Sequence, residues 1–537
     1  MHVLKHPLFL SCVSGIALGL SWYPAYTALI FLGWIPLFLN VHFQIKHAKP
    51  LGFLFKSYTY AGFLVWNLIS TWWVSFASFG GAVMAFTLNS LFMNMVFHFS
   101  IRFSLRRFHT LSFCWLIPIW TGWEFFHQQW ELSWPWLNLG NAFSARPQWI
   151  QWYSILGSSA GTIWVLLVNI ILFKAIIGFK TKLKIYKHAV LSILLIALPL
   201  LCSYLLTPKP FITNTQNIHV VCVQPNVDPY NFKFSSAFNT QFNSIWPQIK
   251  TKLKPETQLV VFPETFVAQS INLKLLKHSF IIQQFRDSIF KYAPKAHILS
   301  GLACYEVYEP GSNIPSTARE TQDAGYFINY YNSAWWIDSV QSLIYHKSKL
   351  VPGSEIIPYS FLFKPLESMA LDMGGTSGSL GTQNQRTVFT SKDSVLKIAP
   401  VICYESIYPD YATAYTRNGA NVMCIITNDG WWENTPGYKQ HLRYASLRAI
   451  ENRRCIVRSA NTGISAFIYP DGHIEHPTAW WTPDVIDTYL PLINTMSFFS
   501  KTGDWIGKTC MGTSIIILLL TILHACWLFL KRKLKNA

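Results

Sequence analysis

The feature that most constrains this chain is a series of apolar runs, each close to the length of a membrane-spanning helix. Such a helix needs about 20 predominantly apolar residues to cross the hydrocarbon core of a bilayer. Seven candidate runs precede residue 209, and an eighth lies near the C-terminus. The candidates are residues 7–22, 26–42, 54–74, 80–101, 109–126, 159–180, 186–206 and 511–530. The sequence therefore predicts a multi-span α-helical membrane domain with about eight transmembrane helices.

Lysine and arginine are concentrated at the N-terminus, in every second loop between the runs and in the C-terminal tail KRKLKNA. Cytoplasmic loops of membrane proteins carry an excess of these residues. The basic residues at the N-terminus and in the second, fourth and sixth loops are Lys5, Lys46, Lys49, Lys56, Arg102, Arg106, Arg107, Lys174, Lys180, Lys182 and Lys184. Both termini are therefore expected in the cytoplasm, and the segment after the seventh run on the opposite side. This topology explains the net charge of +18 without a nucleic-acid partner, for which the sequence has no recognisable motif.

Between the two groups of runs, the composition is typical of a globular α/β domain. Short β-branched or aromatic runs closed by polar residues indicate strands, and YKQHLRYASLRAIENRR (Tyr438–Arg454) indicates a helix. The segment GISAFIYPDGHIEH predicts a hairpin that turns at Pro470–Gly472. Alternating strands and helices favour a layered α/β fold. The predicted domains are residues 1–208, residues 209–505, and residues 506–537 with the last helix and the basic tail.

The cysteines and histidines limit the kinds of site that the chain can hold. The ten cysteines follow no pairing pattern such as CxxC. Those of the central domain are Cys222, Cys304, Cys403, Cys424 and Cys455. An odd number of scattered cysteines disfavours a disulfide framework and leaves room for a free thiol. The histidines form no HxxxH or comparable cluster, so we expect neither a metal ion nor another cofactor.

Three predicted strand ends carry ionisable groups: Glu264 in VVFPETF, Lys347 in LIYHKSKLVPGSE and Cys403 in VICYES. A thiol attacks as the thiolate, a carboxylate can take its proton, and an ammonium can stabilise charge on an acyl oxygen. These groups suffice for acyl transfer, although sequence spacing does not show that they meet. Each also has a plain structural explanation, because a lone strand cysteine is more often buried filler. Likewise, Glu264 could begin a helix and Lys347 could lie on a solvated face.

Taken together, several segments of the chain carry a resemblance to known proteins. They are WPWLNLG, GSSAGTIWVLLVN, VQPN, VVFPET, YHKSKLVPGSE, VICYES and ITNDGWWENTPGYKQHLRYASLRAIENRRCIVRSANTGIS. The set resembles the carbon–nitrogen hydrolase (nitrilase) superfamily, whose Glu-Lys-Cys triad occurs in this order on an α-β-β-α sandwich. More narrowly, the chain resembles the apolipoprotein N-acyltransferase family over nearly its whole length. It departs at PGSE, where many members have Pro-Phe-Gly-Glu, which puts the contacts of Glu355 in question.

The resemblance implies a two-step acyl exchange that completes bacterial lipoprotein maturation. Cys403 would take an acyl chain from a phospholipid resembling phosphatidylethanolamine, forming a thioester. The amine of an N-terminal diacylglyceryl-cysteine of an apolipoprotein would then receive it. Glu264 would be the general base and acid, and Lys347 the oxyanion and orienting group. The residues with implied supporting roles are Glu355, Tyr404, Glu405 and Asn332.

The resemblance also implies a monomeric, multi-pass protein of the bacterial inner membrane with its catalytic domain in the periplasm. Two other functions stay open. One is a membrane-tethered amidase that uses water as acceptor, although a single anchor would suffice for such an enzyme. The other is a non-catalytic membrane scaffold whose nitrilase-like domain only binds a partner.

Overall fold

The computed structural model describes residues 6–178, 182–208, 216–323, 325–339, 341–359 and 379–536. The predicted topology residues Lys5 and Lys180, and the predicted domain start at residue 209, lie outside these ranges. The chain forms two compact units. The first contains Met1–Trp72, Ala82–Leu206 and Asp504–Ala537, and the second contains Trp73–Gly81 and Thr207–Gly503.

The first unit is helical, as its apolar runs predict. Its main helices are Pro7–Leu20, Ile35–Lys46, Phe53–Thr71, Phe79–Phe108, Leu116–Phe126, Tyr153–Ile177, Lys182–Leu206 and Trp505–Asn536. Within the described ranges, five helical segments are long and apolar enough to cross a membrane. They are Pro24–Lys46, Phe79–Phe108, Tyr153–Ile177, Tyr186–Leu206 and Trp505–Leu534. The structure therefore supports five apolar candidates, and the count of eight stays a prediction.

The three remaining predicted spans are not long or apolar enough to count as candidate membrane-crossing helices, for identifiable reasons. Pro7–Leu20 has 14 residues and Leu116–Phe126 has 11, against the roughly 20 that a crossing needs. The helix Phe53–Thr71 has 19 residues but carries buried polar side chains. Among these, Thr59 donates to Asn94 Oδ1 at 2.7 Å. Polar side chains that pair between helices lower the hydropathy of a segment without exposing polar groups to lipid.

The second unit contains two β-sheets. Its strands are β1 (Asn217–Gln224), β2 (Thr257–Val261), β3 (Val267–Asn272), β4 (His297–Tyr308), β5 (Arg319–Glu320), β6 (Phe327–Ile337), β7 (Ser342–His346), β8 (Phe389–Thr390), β9 (Lys397–Ile402), β10 (Val422–Thr427), β11 (Cys455–Ala460), β12 (Ala466–Ile468), β13 (Ile474–Glu475) and β14 (Asp484–Pro491). The first sheet has the order β14-β1-β2-β4-β6-β5, with β3 paired to β4 and β7 to β6. The second has the order β13-β12-β11-β10-β9-β8.

The main core of this unit lies between the two sheets. In β1, Val220 and Cys222 join a buried cluster that also contains Ile402 of β9 and Cys424 of β10. The alternate residues of β1 point the other way, and Val221 packs against the helix Phe238–Lys252. Because strand side chains alternate between faces, both faces of β1 are covered. The predicted layered α/β fold is therefore confirmed.

Helices cover the outer faces of this core. Within the described residues, the helices of the second unit are Val74–Ala77, Phe238–Lys252, Phe280–Phe285, Pro409–Arg417, Pro436–Asn452 and Phe498–Thr502. The longest, Pro436–Asn452, matches the helix predicted over Tyr438–Arg454. Thr435 caps it by accepting a hydrogen bond from Gly437 N, and proline occupies its first turn, both typical of a helix start.

One segment between the predicted membrane spans belongs to a different unit from the one that the sequence predicts. Trp73–Gly81, which joins two predicted membrane spans, belongs to the α/β unit. The Trp73 ring is fully buried and meets the Trp432 ring edge-on at 4.8 Å. A Cβ at Gly437 would lie 2.6 Å from the Trp73 ring. Only glycine fits there, so this indole is an integral part of the packing beside the Pro436–Asn452 helix.

Candidate active site

The sheet directions bring two of the predicted site residues to one edge. β2 and β4 are parallel, β6 is antiparallel to β4, and β7 is antiparallel to β6. β7 therefore runs in the same direction as β2. Glu264 follows the carboxyl end of β2 and Lys347 follows that of β7. In α/β sheets this edge is where ligands commonly bind.

A tight turn fixes the position of Glu264. Thr265, the next residue, has a φ of +46°, which is unusual for a residue other than glycine. The turn lies directly on β4, where Gly301 N donates to Pro263 O at 3.1 Å. A Cβ at Gly301 would be 2.2 Å from Thr265 N. The absence of a side chain at Gly301 thus allows the turn to hold Glu264 in a buried position.

Lys347 and Asn332 face the Glu264 carboxylate together. Lys347 N donates to Asn332 O at 2.8 Å, which continues the β6–β7 ladder by one residue. Lys347 Nζ lies 2.9 Å from Glu264 Oε1, and Asn332 Nδ2 donates to the same oxygen at 2.8 Å. Within the described part of the chain, no donor is hydrogen-bonded to the other oxygen, Oε2. Glu264 is thereby held through one oxygen while the second is available to a reacting group.

Glu355 completes a four-residue network despite the PGSE departure. Lys347 Nζ lies 2.8 Å from Glu355 Oε1, and Asn332 Nδ2 donates to it at 3.1 Å. The second oxygen accepts a hydrogen bond from Val351 N at 2.9 Å. The lysine and the amide group therefore each bridge both carboxylates. The orientation of the Asn332 amide is fixed, because the opposite one would turn its oxygen towards two anions.

Cys403 lies at a sharp turn directly after β9. Its φ is +49°, a strained value for a residue with a side chain. The turn is held from several sides. Ser406 Oγ donates to Cys403 O at 2.7 Å, and His441 Nε2 lies 3.3 Å from the same oxygen. His441 Nδ1 in turn lies 2.9 Å from Asp429 Oδ1. These contacts hold the thiol in a conformation that the free chain would avoid.

Glu405 joins the Cys403 turn to the segment that follows Lys347. Its Oε2 accepts from Ile402 N at 2.8 Å, and its Oε1 accepts from Ser348 N at 2.8 Å. The hydroxyls of Tyr345 and Tyr411 donate to Oε1 at 2.6 and 2.7 Å. The side chain is fully buried. Glu405 is therefore a buried, fully hydrogen-bonded carboxylate that links these two segments.

Tyr404, the fourth supporting residue that the sequence indicates, packs against Tyr408. Its side chain is buried, and its ring meets that of Tyr408 at 5.4 Å in an edge-on arrangement. Burial, the Tyr408 hydroxyl and the neighbouring Cys403 sulfur raise its pKa well above the usual range. At neutral pH it is therefore an uncharged packing residue beside the thiol.

Burial and pairing act in opposite directions on the central ion pair. Burial alone would raise the pKa of Glu264, but the Lys347 and Lys233 ammonium groups and the Asn332 amide outweigh it, so the pKa lies below its usual value. Burial would lower the pKa of Lys347, but Glu264 and Glu355 raise it well above the usual range. At neutral pH, the resting site therefore holds a charged ammonium between two carboxylates.

The thiol of Cys403 is protonated in the same resting state. Burial raises its pKa strongly, and the negative charge of Glu264 adds to the effect, while Lys347 and the Thr427 hydroxyl oppose it. Glu264 and Lys347 are thus close enough to Cys403 to influence its ionisation. The structure brings the three predicted groups together although they are far apart in the sequence. Glu264 and Lys347 are 83 positions apart, and Glu264 and Cys403 are further apart still.

Sequence reasoning missed Lys233, a charged residue of this site. Its side chain is 1 % exposed, and Nζ donates to the main-chain oxygen of Glu264 at 2.8 Å. Lys233 lies in the segment after β1 instead of at a strand end, so no spacing rule marks it. The one available signal is its position just downstream of the VQPN segment.

Comparison with known proteins adds a family relationship to this geometry. A family model described as carbon-nitrogen hydrolase matches residues 236–496. A second, described as the apolipoprotein N-acyltransferase N-terminal domain, matches residues 14–171. The first match covers most of the α/β unit, and the second covers most of the helices that precede it.

Named relatives extend over nearly the whole chain. An apolipoprotein N-acyltransferase of Chlorobaculum tepidum is 29 % identical over 96 % of this chain and 97 % of its own length. That of Geobacter metallireducens is 26 % identical over 96 % and 95 %, respectively. Among solved structures, a mutant amidase of the nitrilase superfamily from Nesterenkonia is 14 % identical with a TM-score of 0.36, covering 56 % of this chain and 99 % of that one. Both family models and these full-length relatives agree that the chain resembles apolipoprotein N-acyltransferases over nearly its whole length, with a carbon-nitrogen hydrolase match in its α/β unit.

Proposed function

We propose that this protein N-acylates the N-terminal diacylglyceryl-cysteine of apolipoproteins with an acyl chain from a membrane phospholipid, through a thioester on Cys403. The family relationship supports the acyltransferase activity and a bacterial membrane location. The observation that carries the mechanism is the convergence of Glu264 and Lys347 on one buried site beside Cys403.

In the first half-reaction, Glu264 is the base. As a phospholipid ester enters, Glu264 Oε2 accepts the thiol proton of Cys403 while the sulfur bonds to the ester carbonyl carbon. Lys347 stabilises the negative charge that develops on the carbonyl oxygen. The C–O bond of the ester then breaks, and the leaving oxygen takes the proton from Glu264. The products are a lysophospholipid and an acyl-thioester on Cys403.

The resting ionisation states explain why attack and proton transfer must be concerted. The thiol has a raised pKa and Glu264 a lowered one, so a free thiolate is disfavoured before substrate binds. The proton moves from sulfur to Glu264 only when the acyl carbon is present to receive the electron pair of the sulfur. This arrangement protects the thiol from unproductive reactions and is typical of general-base catalysis by a positioned carboxylate.

In the second half-reaction, the lipoprotein amine replaces the phospholipid. Its nitrogen bonds to the thioester carbon, Glu264 takes one amine proton, and Lys347 again stabilises the oxyanion. The C–S bond then breaks, and the sulfur recovers its proton from Glu264, leaving an amide on the lipoprotein. The thioester is reactive enough for this aminolysis without a nucleotide or a metal ion.

The membrane location fits both substrates. A soluble enzyme would have to withdraw acyl chains from the bilayer, at a cost of about 0.8 kcal/mol for each CH₂ exposed to water. An enzyme that is itself embedded in the membrane meets both lipids without extracting them. This argument favours the acyltransferase over an amidase with a small soluble substrate, the second candidate.

The topology is part of the same proposal. Eight membrane helices with both termini in the cytoplasm would put the α/β unit on the extracytoplasmic side. A phosphatase reporter fused after residue 300, a position within the α/β unit, is therefore expected to be active, because that enzyme folds only outside the cytoplasm. A fluorescent protein fused after residue 536 should be bright. A phosphatase fusion that is inactive at 300 but active at 536 would contradict this orientation.

The thioester can be tested directly. Purified full-length protein is incubated with phospholipid vesicles and analysed by mass spectrometry of its peptides. We expect one acyl chain on the Cys403 peptide and an equal amount of lysophospholipid. The acyl group should leave on addition of a diacylglyceryl peptide and appear as an amide on it. Release as free fatty acid at the same rate would favour the amidase, and an unmodified Cys403 with active enzyme would refute the intermediate.

A further inference from the structure

Among the residues that the structure describes, the buried Lys233 ammonium has no ion-pair partner. Its main chain is fixed on both sides, since Lys233 N donates to Asp228 O at 2.9 Å and Gln241 Nε2 donates to Lys233 O at 2.8 Å. The side chain is 1 % exposed. Within the described part of the chain, Nζ forms no salt bridge, and its hydrogen bond goes to the main-chain oxygen of Glu264 at 2.8 Å. A buried cation without a direct ion pair is destabilising, so its burial here requires compensating negative charge nearby.

The explanation lies in the charge balance of the site. Lys347 bridges two carboxylates, Glu264 and Glu355, so these three groups carry a net charge of minus one. A site with that charge opposes the formation of a negative sulfur or oxyanion. Lys233 supplies the missing positive charge and brings the set to neutrality. Its favourable electrostatic partners are the Glu264 carboxylate and the Cys403 sulfur.

We propose that Lys233 is a second cation of the active site, which positions Glu264 through its main-chain oxygen and stabilises the Cys403 sulfur as the thiol loses its proton. This inference rests on the proposed function, because it takes Cys403 as the nucleophile. It gives the two lysines different tasks. Lys347 pairs with the Glu264 base and stabilises the oxyanion, whereas Lys233 stabilises the negative charge that develops on the sulfur.

Burial lowers the pKa of Lys233 to about 8, while Glu264 and Cys403 act in the opposite direction. The ammonium form therefore predominates at neutral pH. Its hydrogen bond to Glu264 O also has a positioning effect, because it fixes the main chain of the residue whose carboxylate is the base. A neutral side chain at this position would lose the charge, and an amide side chain would keep the capacity to donate.

The test measures the ionisation of Cys403 without any phospholipid. The full-length protein in detergent is alkylated with iodoacetamide over a range of pH, and the Cys403 peptide is quantified by mass spectrometry. In Lys233→Met, we expect the apparent pKa of the thiol to rise by about one to two units, which lowers the alkylation rate at a given pH roughly tenfold or more. Lys233→Arg, which keeps the charge, should remain within about threefold of the wild-type rate.

Two further variants make the result decisive. Lys291→Met removes an exposed lysine of the same unit and should leave the alkylation profile unchanged. Lys233→Gln keeps a hydrogen-bond donor but no charge, and should behave as Lys233→Met does. Superimposable profiles for wild type, Lys233→Met and Lys233→Gln would overturn the proposal. Failure of both neutral variants to fold while Lys233→Arg folds normally would also overturn it, because Lys233 would then be purely structural.

This readout separates the inference from the function on which it rests. If Cys403 never carries an acyl chain in the vesicle experiment, the proposed function fails whatever Lys233 does. If the thioester forms in the wild type and the alkylation profile of Lys233→Met is unchanged, only the role of Lys233 fails.

Discussion

Cys403→Ala is expected to abolish N-acylation of lipoproteins while the protein still folds and inserts in the membrane. Loss of a nucleophile in enzymes of covalent mechanism lowers the rate by a factor on the order of 10⁶. The Cys403 residue retains some solvent exposure even though its thiol is desolvated enough to raise its pKa, so removal of its single sulfur atom should leave little empty space. The N-terminal peptide of a lipoprotein substrate, analysed by mass spectrometry, should carry two acyl chains instead of three.

The matched controls are two other cysteines of the same α/β unit. Cys424 and Cys455 are fully buried in β10 and β11. Each of the three substitutions removes one sulfur atom, but Cys424→Ala and Cys455→Ala leave a more completely enclosed cavity than Cys403→Ala does. Each of these two is expected to lower the free energy of unfolding by about 1 kcal/mol. Both should retain acyl transfer. Activity that survives in Cys403→Ala but disappears in a folded Cys424→Ala or Cys455→Ala protein would mean that the nucleophile is a different thiol.

The α/β architecture could be predicted because its signals are local. Alternating apolar runs, the Pro470–Gly472 turn between β12 and β13, and the helical pattern around Tyr438 each depend on a few neighbouring residues. The same applies to the strand ends that carry Glu264, Lys347 and Cys403. Their convergence, in contrast, depends on strand order and direction across the sheets, which periodicity does not contain.

The parts that sequence analysis did not find depend on packing between distant segments. Asn67, in a helix that was expected to be simply apolar, accepts a hydrogen bond from Asn89 at 2.8 Å. This pairing is invisible to a hydropathy average, and it explains why Phe53–Thr71 is not among the five apolar candidates for membrane spans. Trp73 was assigned to a membrane span, but the absence of a side chain at Gly437 lets it pack within the α/β unit. The supporting role predicted for Glu405 stays a prediction, and the four donors that bury its carboxylate depend on contacts between distant segments that the sequence does not show.

Lys347→Met is expected to destabilise the α/β unit as well as inactivate it. Its ammonium is 1 % exposed and pairs with two carboxylates that are 8 % and 13 % exposed. Removing one partner of a buried ion pair typically costs about 3–5 kcal/mol, because the remaining charge is left without compensation. Here two carboxylates would remain, with Asn332 as their shared donor. The thermal unfolding midpoint of the detergent-solubilised protein should therefore fall clearly below that of the wild type.

The pH dependence distinguishes this electrostatic effect from a loss of packing. In the wild type, the pKa of Glu264 is lowered by its partners, so its contribution to stability is present above the unfolded pKa and is lost as pH falls through the folded one. Without Lys347, burial dominates and the pKa of Glu264 should rise above its unfolded value of about 4.3. The stability gap between the two proteins should then widen as pH rises from about 4 to 7. A gap that stays constant over that range would indicate a packing defect.

A second substitution separates stability from catalysis at this site. Lys347→Met combined with Glu355→Gln removes one of the two uncompensated charges, while the introduced amide can still contact Val351 N or Asn332. The double variant should recover a substantial part of the lost stability, in the range of about 1–3 kcal/mol expected when contacting groups are coupled. It should remain inactive, because the ammonium that stabilises the oxyanion is still absent. Recovery of acyl transfer together with stability would show that Lys347 acts only by neutralising Glu355, and its proposed role in the chemistry would have to be withdrawn.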